Sequence, residues 1–325
     1  MTAPISASVP TAGISTVLTS LLPTLACPAC RAALDRTGDA LTCTSCPRSY
    51  AVSGDVPILL DEESKSEIAR FRHDAENVRL RQQLASGGLA RLVDVIRPPH
   101  PFAFTRRRVN HAKRIAFSRL ASTSADVKVP RFLDIGSGIL GGLNHSGLSQ
   151  HVRSHLLPLE IAPTSGVGVV GDAHKLPFRD DSLDGALIQG VLEHVRDPIQ
   201  VVEEIFRALK PGAPVFAEVP FIQHYHLDPV DYRRWTHYGF EKLFAGFTCD
   251  DVGVAAGPAS ALTDMLTEFP ALLFRSPALY WGAKLVSGWL FAPIQLLDAV
   301  WGSAPRAHVM AGAVYFLGRK PVRQP

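Results

Sequence analysis

The segment Phe132-Leu-Asp-Ile-Gly-Ser-Gly138 constrains the fold of this chain more than any other. A short apolar run with strand character passes directly into two glycines separated by one serine. Glycine lets the backbone turn sharply and approach a ligand closely where a Cβ would obstruct it. Amides at the start of a following helix then face a negatively charged group of that ligand. Ile139 and Leu140 stand where a dinucleotide-binding turn needs its third glycine, which argues against a nicotinamide cofactor.

Strand and helix signals alternate from there on. Apolar runs at 156–161, 166–170, 183–188, 214–220, 252–254 and 313–317 read as strands, and 237–245 as a helix. Residues 198–209 form an amphipathic helix with Ile199, Val202, Ile205, Phe206 and Leu209 on one stripe. Lys210-Pro-Gly212 ends it, since proline cannot continue a helix and glycine suits its cap. This alternation predicts an α/β fold, a mostly parallel Rossmann-like sheet with helices on both faces. Glu160 closes the second strand, where an acid accepts both hydroxyls of a ribose. Asp172, in Gly171-Asp-Ala-His-Lys-Leu-Pro-Phe178, offers an acceptor to an adenine amino group.

Ahead of this domain, Cys27-Pro-Ala-Cys30 and Cys43-Thr-Ser-Cys46 form two CxxC pairs with twelve residues between them. Two residues between thiolates let both sulfurs of one turn reach a single metal, and two such turns complete a tetrahedron. All four positions are then filled by protein, so a structural zinc ion on Cys27, Cys30, Cys43 and Cys46 is expected. Paired cysteines of this kind indicate a reducing compartment rather than a disulfide framework. The expected organisation is a disordered lead over 1–22, a zinc ribbon over 23–62 and a helical linker over 63–124. The main domain follows over 125–320, with an apolar helical insertion at 258–308.

The net charge of +3 over 325 residues is too small to imply a polyanionic partner. One basic helix, at 105–120 with Arg106, Arg107, Arg108, Lys113 and Arg114, is either a solvated face or a contact for an anionic surface. The first twenty residues lack the basic start and apolar core of a signal peptide. Arg275, Lys284 and Asp298 interrupt the most apolar stretch, 269–301, so that no uncharged piece of it reaches the ~18 residues a span requires. Its aromatic residues suit packing, a homodimer interface or peripheral membrane contact, the last in concert with the basic helix. The expected location is cytoplasmic, with peripheral attachment at the inner face of the membrane as the membrane-contact variant.

Two resemblances follow from these residues. The cysteine pairs together with Tyr50-Ala-Val-Ser-Gly-Asp-Val-Pro-Ile-Leu-Leu60 resemble a small zinc-ribbon family whose best-studied members activate tRNA and release-factor methyltransferases. That likeness implies a partner or scaffold role for the ribbon. Asp172, Leu176, Pro177, Phe178, Asp181, Ser182, Asp184, Glu193-His-Val195 and Lys210-Pro-Gly212 resemble class I S-adenosylmethionine methyltransferases, over roughly 127–317. It implies a seven-stranded sheet and S-adenosylmethionine as cofactor. Carried over position by position, Asp134, Gly136, Ser137 and Gly138 hold the methionine end. Glu160 and Ile161 lie at the ribose, Asp172 and Ala173 at the adenine, and Gln189 and Gly190 on the floor of the methyl site.

The acceptor is read from His224, His226, Asp228, Asp231, Arg233 and Arg234, which crowd the stretch after the fifth strand. Similar stretches occur in methyltransferases of polysaccharide, glycolipid and secondary-metabolite biosynthesis. The expected reaction is O-methylation of a hydroxyl on a glycan, glycolipid or glycosylated small molecule. His226 is the first choice as general base and His194 the second; Asp231 orients the base and Arg234 holds the acceptor. Against this stands a pairing of Asp231 with Arg234 that merely fixes the loop. An RNA- or ribosome-associated methyltransferase is the alternative that the ribbon favours, although Gln189-Gly-Val-Leu lacks the Asn/Asp-Pro-Pro-aromatic motif common among base N-methylases. A non-catalytic cofactor-binding scaffold or activator is the other alternative. No second metal-ligating set is evident in the sequence.

Overall fold

The computed structural model describes residues 14–66, 68, 131–137, 148, 150–163, 166–226 and 230–322. The chain opens with helix α1 (Ile14–Leu21), followed by a 3₁₀ turn, Leu22–Thr24. Leu18, Leu21 and Leu25 are buried in the main core, so this part of the expected disordered lead is an ordered element with its own apolar anchor. The ribbon consists of β1 (Leu34–Thr37), β2 (Ala40–Cys43), β3 (Ser49–Ser53) and β4 (Val56–Leu59), paired antiparallel in sequence order. Gly38 and Gly54 take positive φ at the turns joining these strands, the conformation that glycine adopts at least cost. The basic helix expected at 105–120 lies outside the described residues.

The α/β domain comprises β5 (Phe132–Ile135), α2 (Gln150–Ser154), β6 (Leu156–Glu160), β7 (Val169–Gly171), β8 (Gly185–Gln189), α3 (Pro198–Ala208), β9 (Pro214–Pro220), α4 (His237–Leu243), β10 (Thr248–Ala256) and β11 (Ala313–Arg319). Its seven strands run in the order β7-β6-β5-β8-β9-β11-β10. Strands β7 to β9 are parallel, while β11 is antiparallel to both β9 and β10. Every residue of β5 and β8 is buried, as expected of central strands covered on both faces. Neighbouring residues feed separate cores. Leu133, Ile135, Ala186, Ile188, Val215, Ala217 and Phe316 point to one side. Phe132, Leu187, Phe216, Tyr315 and Leu317 point to the other, with Val152 of α2.

Helix α3 starts where Asp197 accepts the amides of Ile199 and Gln200, with Pro198 supplying the first turn. Its buried stripe is Val201, Val202, Ile205 and Ala208, whereas Ile199 is exposed. Val202, Ile205 and Leu209 of the expected stripe are buried and Phe206 packs against the core, so the stripe departs from expectation at Ile199 alone.

The ribbon is continuous with this domain. Strand β4 adds to the free edge of β7 in parallel, with Ile58 opposite Val170 and Leu59 opposite Gly171. The seven strands thereby become eleven in a single order. Leu34, Leu41, Tyr50 and Leu59 share one core with Leu176, Phe178 and Ile205. The amide of Ala26 donates to the Pro177 carbonyl and that of Arg179 to the Thr24 carbonyl. Arg31 reaches the buried Glu204 of α3 at 2.8 Å. Beyond β4 the chain turns helical over 62–66; there Lys175 bridges Asp61 and Glu63 at 2.6 Å each.

The insertion forms α5 (Pro258–Glu268), α6 (Pro277–Phe291) and α7 (Asp298–Trp301), joined by 3₁₀ turns. From Pro277 to Trp301 it is helical over 25 residues, long and apolar enough by length and composition alone to cross a membrane. Two of the interrupting charges, Asp298 and Lys284, dock this stretch to α5. The Asp298 carboxylate accepts the amides of Ala259 and Ser260 at 2.9 and 2.8 Å, a negative group at the start of α5. Lys284 pairs with Glu268 at 2.6 Å, and Tyr280 bonds the same carboxylate. Trp281, Val286, Trp289, Leu290 and Trp301 stay exposed on the outer side.

Burial alone would raise the Asp61 carboxyl, but bonds from Lys175 and Ser64 outweigh it and hold the group below the ordinary carboxylate range. Burial likewise opposes the charged form of Lys175, yet Asp61 and Glu63 hold it above the ordinary lysine value. The contribution of this bridge is thus present between the two ordinary values. It is lost as pH falls through the lowered carboxyl or rises through the raised ammonium. Lys175→Ala should lower the urea midpoint at neutral pH, with about 1 kcal/mol from the Asp61 bond, and the gap to the unaltered chain should close below pH ~4. A pH-independent gap would contradict this account.

Candidate functional site

The carboxyl ends of β7, β6, β5 and β8 lie side by side, and the sheet order reverses between β5 and β8. Ligands of open α/β sheets bind in the crevice at such a reversal. Gly136 leaves β5 with φ of +67° and Gly190 leaves β8 with φ of +65°. A Cβ on Gly136 would stand 2.2 Å from Cγ2 of Val191, so glycine is required there both by conformation and by space. Asp134, Ser137 and Gln189 are buried beside these exits, while Glu160 and Ile161 are half-buried at the end of β6. Gly138 lies outside the described residues. The expected nucleoside-contacting positions that are described therefore gather on one edge of the sheet.

Asp172 opens the loop after β7 and caps the 3₁₀ turn Ala173–Lys175. Its Oδ1 accepts from the amide of His174 at 2.9 Å and bonds Nδ1 of the same residue at 2.7 Å; its Oδ2 accepts from the Ser64 hydroxyl at 2.7 Å. Burial would raise its pKa, but the bonds to His174 and Ser64 overcome this and keep it low. Three of roughly four acceptor sites on a carboxylate are occupied, leaving room on Oδ2 for one further donor such as an adenine amino group. A cleft beside it is lined by Glu63, His174, Lys175, Arg196, Asp197 and Gln200. The ribbon's tail thus forms part of the wall next to the loop expected to hold adenine.

Directly after Gly190 the loop presents Glu193 and His194. The Glu193 carboxylate is almost wholly buried, its Oε1 is 3.6 Å from where a Cβ on Gly190 would stand, and its Oε2 has no hydrogen-bond partner. Burial raises its pKa to about 8. The loop after β9 brings His226 to the same place. Nε2 of His194 and Nε2 of His226 lie 3.9 and 4.0 Å from Glu193 Oε1, and the two imidazoles meet edge to face at 5.1 Å. Burial and the neighbouring His194 hold His226 below the ordinary histidine value. Glu193 was not among the expected site residues, and a second ligand set was not expected either. The signal was there only as Glu-His in the family-like pattern; its partner comes from a different loop and no spacing links them.

Asp231 and Arg234 pair with each other. Arg234 makes a two-pronged contact with Asp231, one prong at 2.6 Å, and donates to the His224 carbonyl at 3.0 Å. Asp231 also accepts the His226 amide at 2.9 Å. The pairing that the sequence left open as a loop-fixing contact is present, and Asp231 also holds the His226 backbone while Arg234 bonds the His224 carbonyl. Asp228 lies outside the described residues. His224 is bound to Asp264 of α5 at 2.9 Å, so the insertion braces this rim.

In the ribbon, Cys27 and Cys46 sulfurs lie 3.8 Å apart and Cys30 and Cys43 sulfurs 3.4 Å apart. All four sulfurs fall within 4.8 Å of one another. A tetrahedral zinc–thiolate site has sulfur–sulfur edges of roughly 3.8 Å, so the cluster fits such an ion. Burial and the adjacent thiols keep the Tyr50 phenol protonated, and it stands 3.1 Å from the Cys27 sulfur, placed to donate to a thiolate.

Removing Asp231 strips partners from the Arg234 guanidinium and from the His226 amide at once. Asp231→Ala should cost about 2–3 kcal/mol in urea unfolding, and Asp231→Asn, which keeps one acceptor, less. A cost below about 0.5 kcal/mol would show that the pair does not hold the loop.

A methyltransferase domain family matches residues 133–217, and the Trm112p-like protein family matches residues 19–55. Norajmaline N-methyltransferase of Rauvolfia serpentina is 30% identical over 159 residues, 44% of this chain and 53% of the plant protein. An uncharacterized methyltransferase of Mycobacterium leprae is 31% identical over 127 residues, 36% of this chain and 47% of its own. The chain thus spans about half the length of the curated relatives it matches. Among solved structures, a complex of the Haloferax volcanii Trm112 methyltransferase activator with a candidate methyltransferase matches at 18% identity and a TM-score of 0.37, over 69% of this chain and 96% of that one. The chain carries a class I S-adenosylmethionine-dependent methyltransferase domain, preceded by a Trm112p-like region with a four-cysteine cluster.

Proposed function

We propose that this chain methylates a hydroxyl group of a glycan, glycolipid or glycosylated small molecule. The observation that carries this reading is the Glu193–His194–His226 cluster set against Gly190, where the β8 exit meets the expected methyl site. S-adenosylmethionine supplies a methyl group on a cationic sulfonium, and an attacking hydroxyl has to give up its proton. Asp134, Gly136 and Ser137 receive the methionine end of the cofactor, Glu160 the ribose and Asp172 the adenine. Gln189 and Gly190 floor the space between cofactor and acceptor. His226 is neutral near pH 7 because burial depresses its pKa, so it is able to take up a proton. Holding acceptor oxygen, methyl carbon and sulfur in line supplies much of the remaining acceleration.

The four cysteines hold a structural zinc ion, since a closed thiolate site leaves no position for a substrate. A second reading, methylation of RNA or of a ribosomal component, is favoured by the Trm112p-like match over 19–55. The exposed Trp281, Trp289, Leu290 and Trp301 face of the insertion suits peripheral contact with a membrane that carries a lipid-linked acceptor.

Calorimetry with S-adenosylhomocysteine tests the first step. The intact chain should bind, and Gly136→Ala should not, because Val191 and the positive φ exclude its methyl. Incubation with methyl-labelled cofactor and separate glycan, lipid and RNA extracts then identifies the acceptor. Label in the glycan or glycolipid fraction is expected, with the rate falling about 10²–10⁴-fold in His226→Ala while S-adenosylhomocysteine affinity is retained. Label in RNA alone would establish the second reading, and binding without turnover on any extract would leave a scaffold.

A further inference from the structure

We propose that Glu193, His194 and His226 form a second metal site, distinct from the four-cysteine cluster, that holds a divalent transition cation of the zinc class at the acceptor side of the methyl site.

The three ligand atoms come from two loops, one leaving β8 and one leaving β9, and all lie within 4.8 Å of one another. A cation bound at ~2.0–2.2 Å to nitrogen and oxygen ligands in tetrahedral geometry sets them roughly 3.3–3.6 Å apart. Glu193 Oε1 stands 3.9 Å from His194 Nε2 and 4.0 Å from His226 Nε2, each about half an ångström beyond that spacing. Two imidazoles and one carboxylate favour zinc, iron, cobalt or manganese over calcium and magnesium.

The surroundings of each ligand are those of a metal site. Nδ1 of His194 lies 2.6 Å from the Val230 carbonyl; it can only donate there, which leaves Nε2 with its lone pair facing the cluster. Nδ1 of His226 stands 3.4 Å from both the His224 carbonyl and Nη2 of Arg234, while its Nε2 faces Glu193. The Val230 carbonyl fixes the tautomer of His194, as outer partners of metal-binding histidines do. Arg234, which faces His226, is neutralised by its two-pronged contact with Asp231. The independent sign is Glu193 itself. Its side chain is 2% exposed, yet Oε2 meets no donor. A buried carboxylate oxygen left without a partner is costly, and a cation that draws Oε2 as well as Oε1 into its shell relieves that cost. His226 is the more open member, its side chain 33% exposed against 11% for His194. The remaining coordination position therefore opens on the side from which an acceptor enters.

Three protein ligands with one open position make a catalytic rather than a structural site. Its use deepens the O-methyltransfer reading and rests on it. An acceptor hydroxyl oxygen enters as the fourth ligand, and the cation lowers its pKa so that its proton leaves to water. The oxygen's electron pair then forms the bond to the methyl carbon while the carbon–sulfur bond breaks, its pair returning to neutral sulfur. With the cation in place His226 is a ligand, and the lowered pKa of the bound hydroxyl makes a general base unnecessary, the proton passing to water.

Metal counting on the full chain tests this without any acceptor. After equilibration with zinc and gel filtration, the intact protein should carry about two ions and Glu193→Gln or His226→Ala about one, the ion of the cysteine cluster. Cobalt substitution should add an absorption band of nitrogen–oxygen type beside the thiolate-to-cobalt bands, absent from both variants. His194→Asn serves as a third variant if either of the others fails to bind S-adenosylhomocysteine and is therefore misfolded. One ion in the intact chain, or a second ion that persists in folded variants, would overturn the proposal. Because cofactor affinity is read in the same samples, loss of the metal site is distinguishable from loss of the methyltransferase site.

Discussion

Two residue pairs, Ile58 with Val170 and Leu59 with Gly171, join the ribbon to the central sheet. A parallel edge strand exposes unpaired amides and carbonyls, and β7 is three residues long. Alone it would be a poor boundary for the crevice beside it. With β4 in place, the edge is continued by four strands of the ribbon, and the loop that starts at Asp172 emerges from an interior strand. The tail after β4 then reaches over that loop. Ser64 bonds Asp172, and Asp61 and Glu63 bond Lys175. The four-cysteine cluster of the ribbon and the expected adenine end of the crevice are linked by one run of backbone.

A second division of labour separates the two ends of the crevice. The nucleoside side is built at the strand exits, where Gly136 and Gly190 let the backbone turn. The acceptor side is built from loops that the insertion supports. His224 ties the rim to Asp264 in α5, and α5 is itself capped by Asp298 from α7. A charge that looked like an obstacle to a long apolar helix thus anchors that helix to the domain, and it leaves the tryptophan-bearing face outward.

Much of this was legible in the sequence because it was local. Strand β9 spans 214–220 as expected, and α3 stops where Lys210-Pro-Gly212 requires. The four cysteines lie together because two short turns dictate it. What was hidden depends on contacts between distant segments. Nothing in 56–59 specifies pairing with 169–171. The burial of Glu193 follows from packing against Gly190 and the loop around Asp231, and its meeting with His226 depends on where two loops cross. The Asp231–Arg234 pair was legible as an alternative, since residues three apart in a tight loop readily meet. The order of 14–21 was missed because Leu18 and Leu21 are anchored by a core formed elsewhere in the chain.

Native-state hydrogen exchange with and without a zinc chelator tests most directly whether ribbon and sheet are one structural unit. If they are, stripping the cysteine cluster opens the amides of β4, of β7 and of the Asp172–Lys175 loop together with the ribbon strands, while β5 and β8 stay protected. Ribbon amides that open alone, with Val169 to Lys175 as slow as before, would contradict the account.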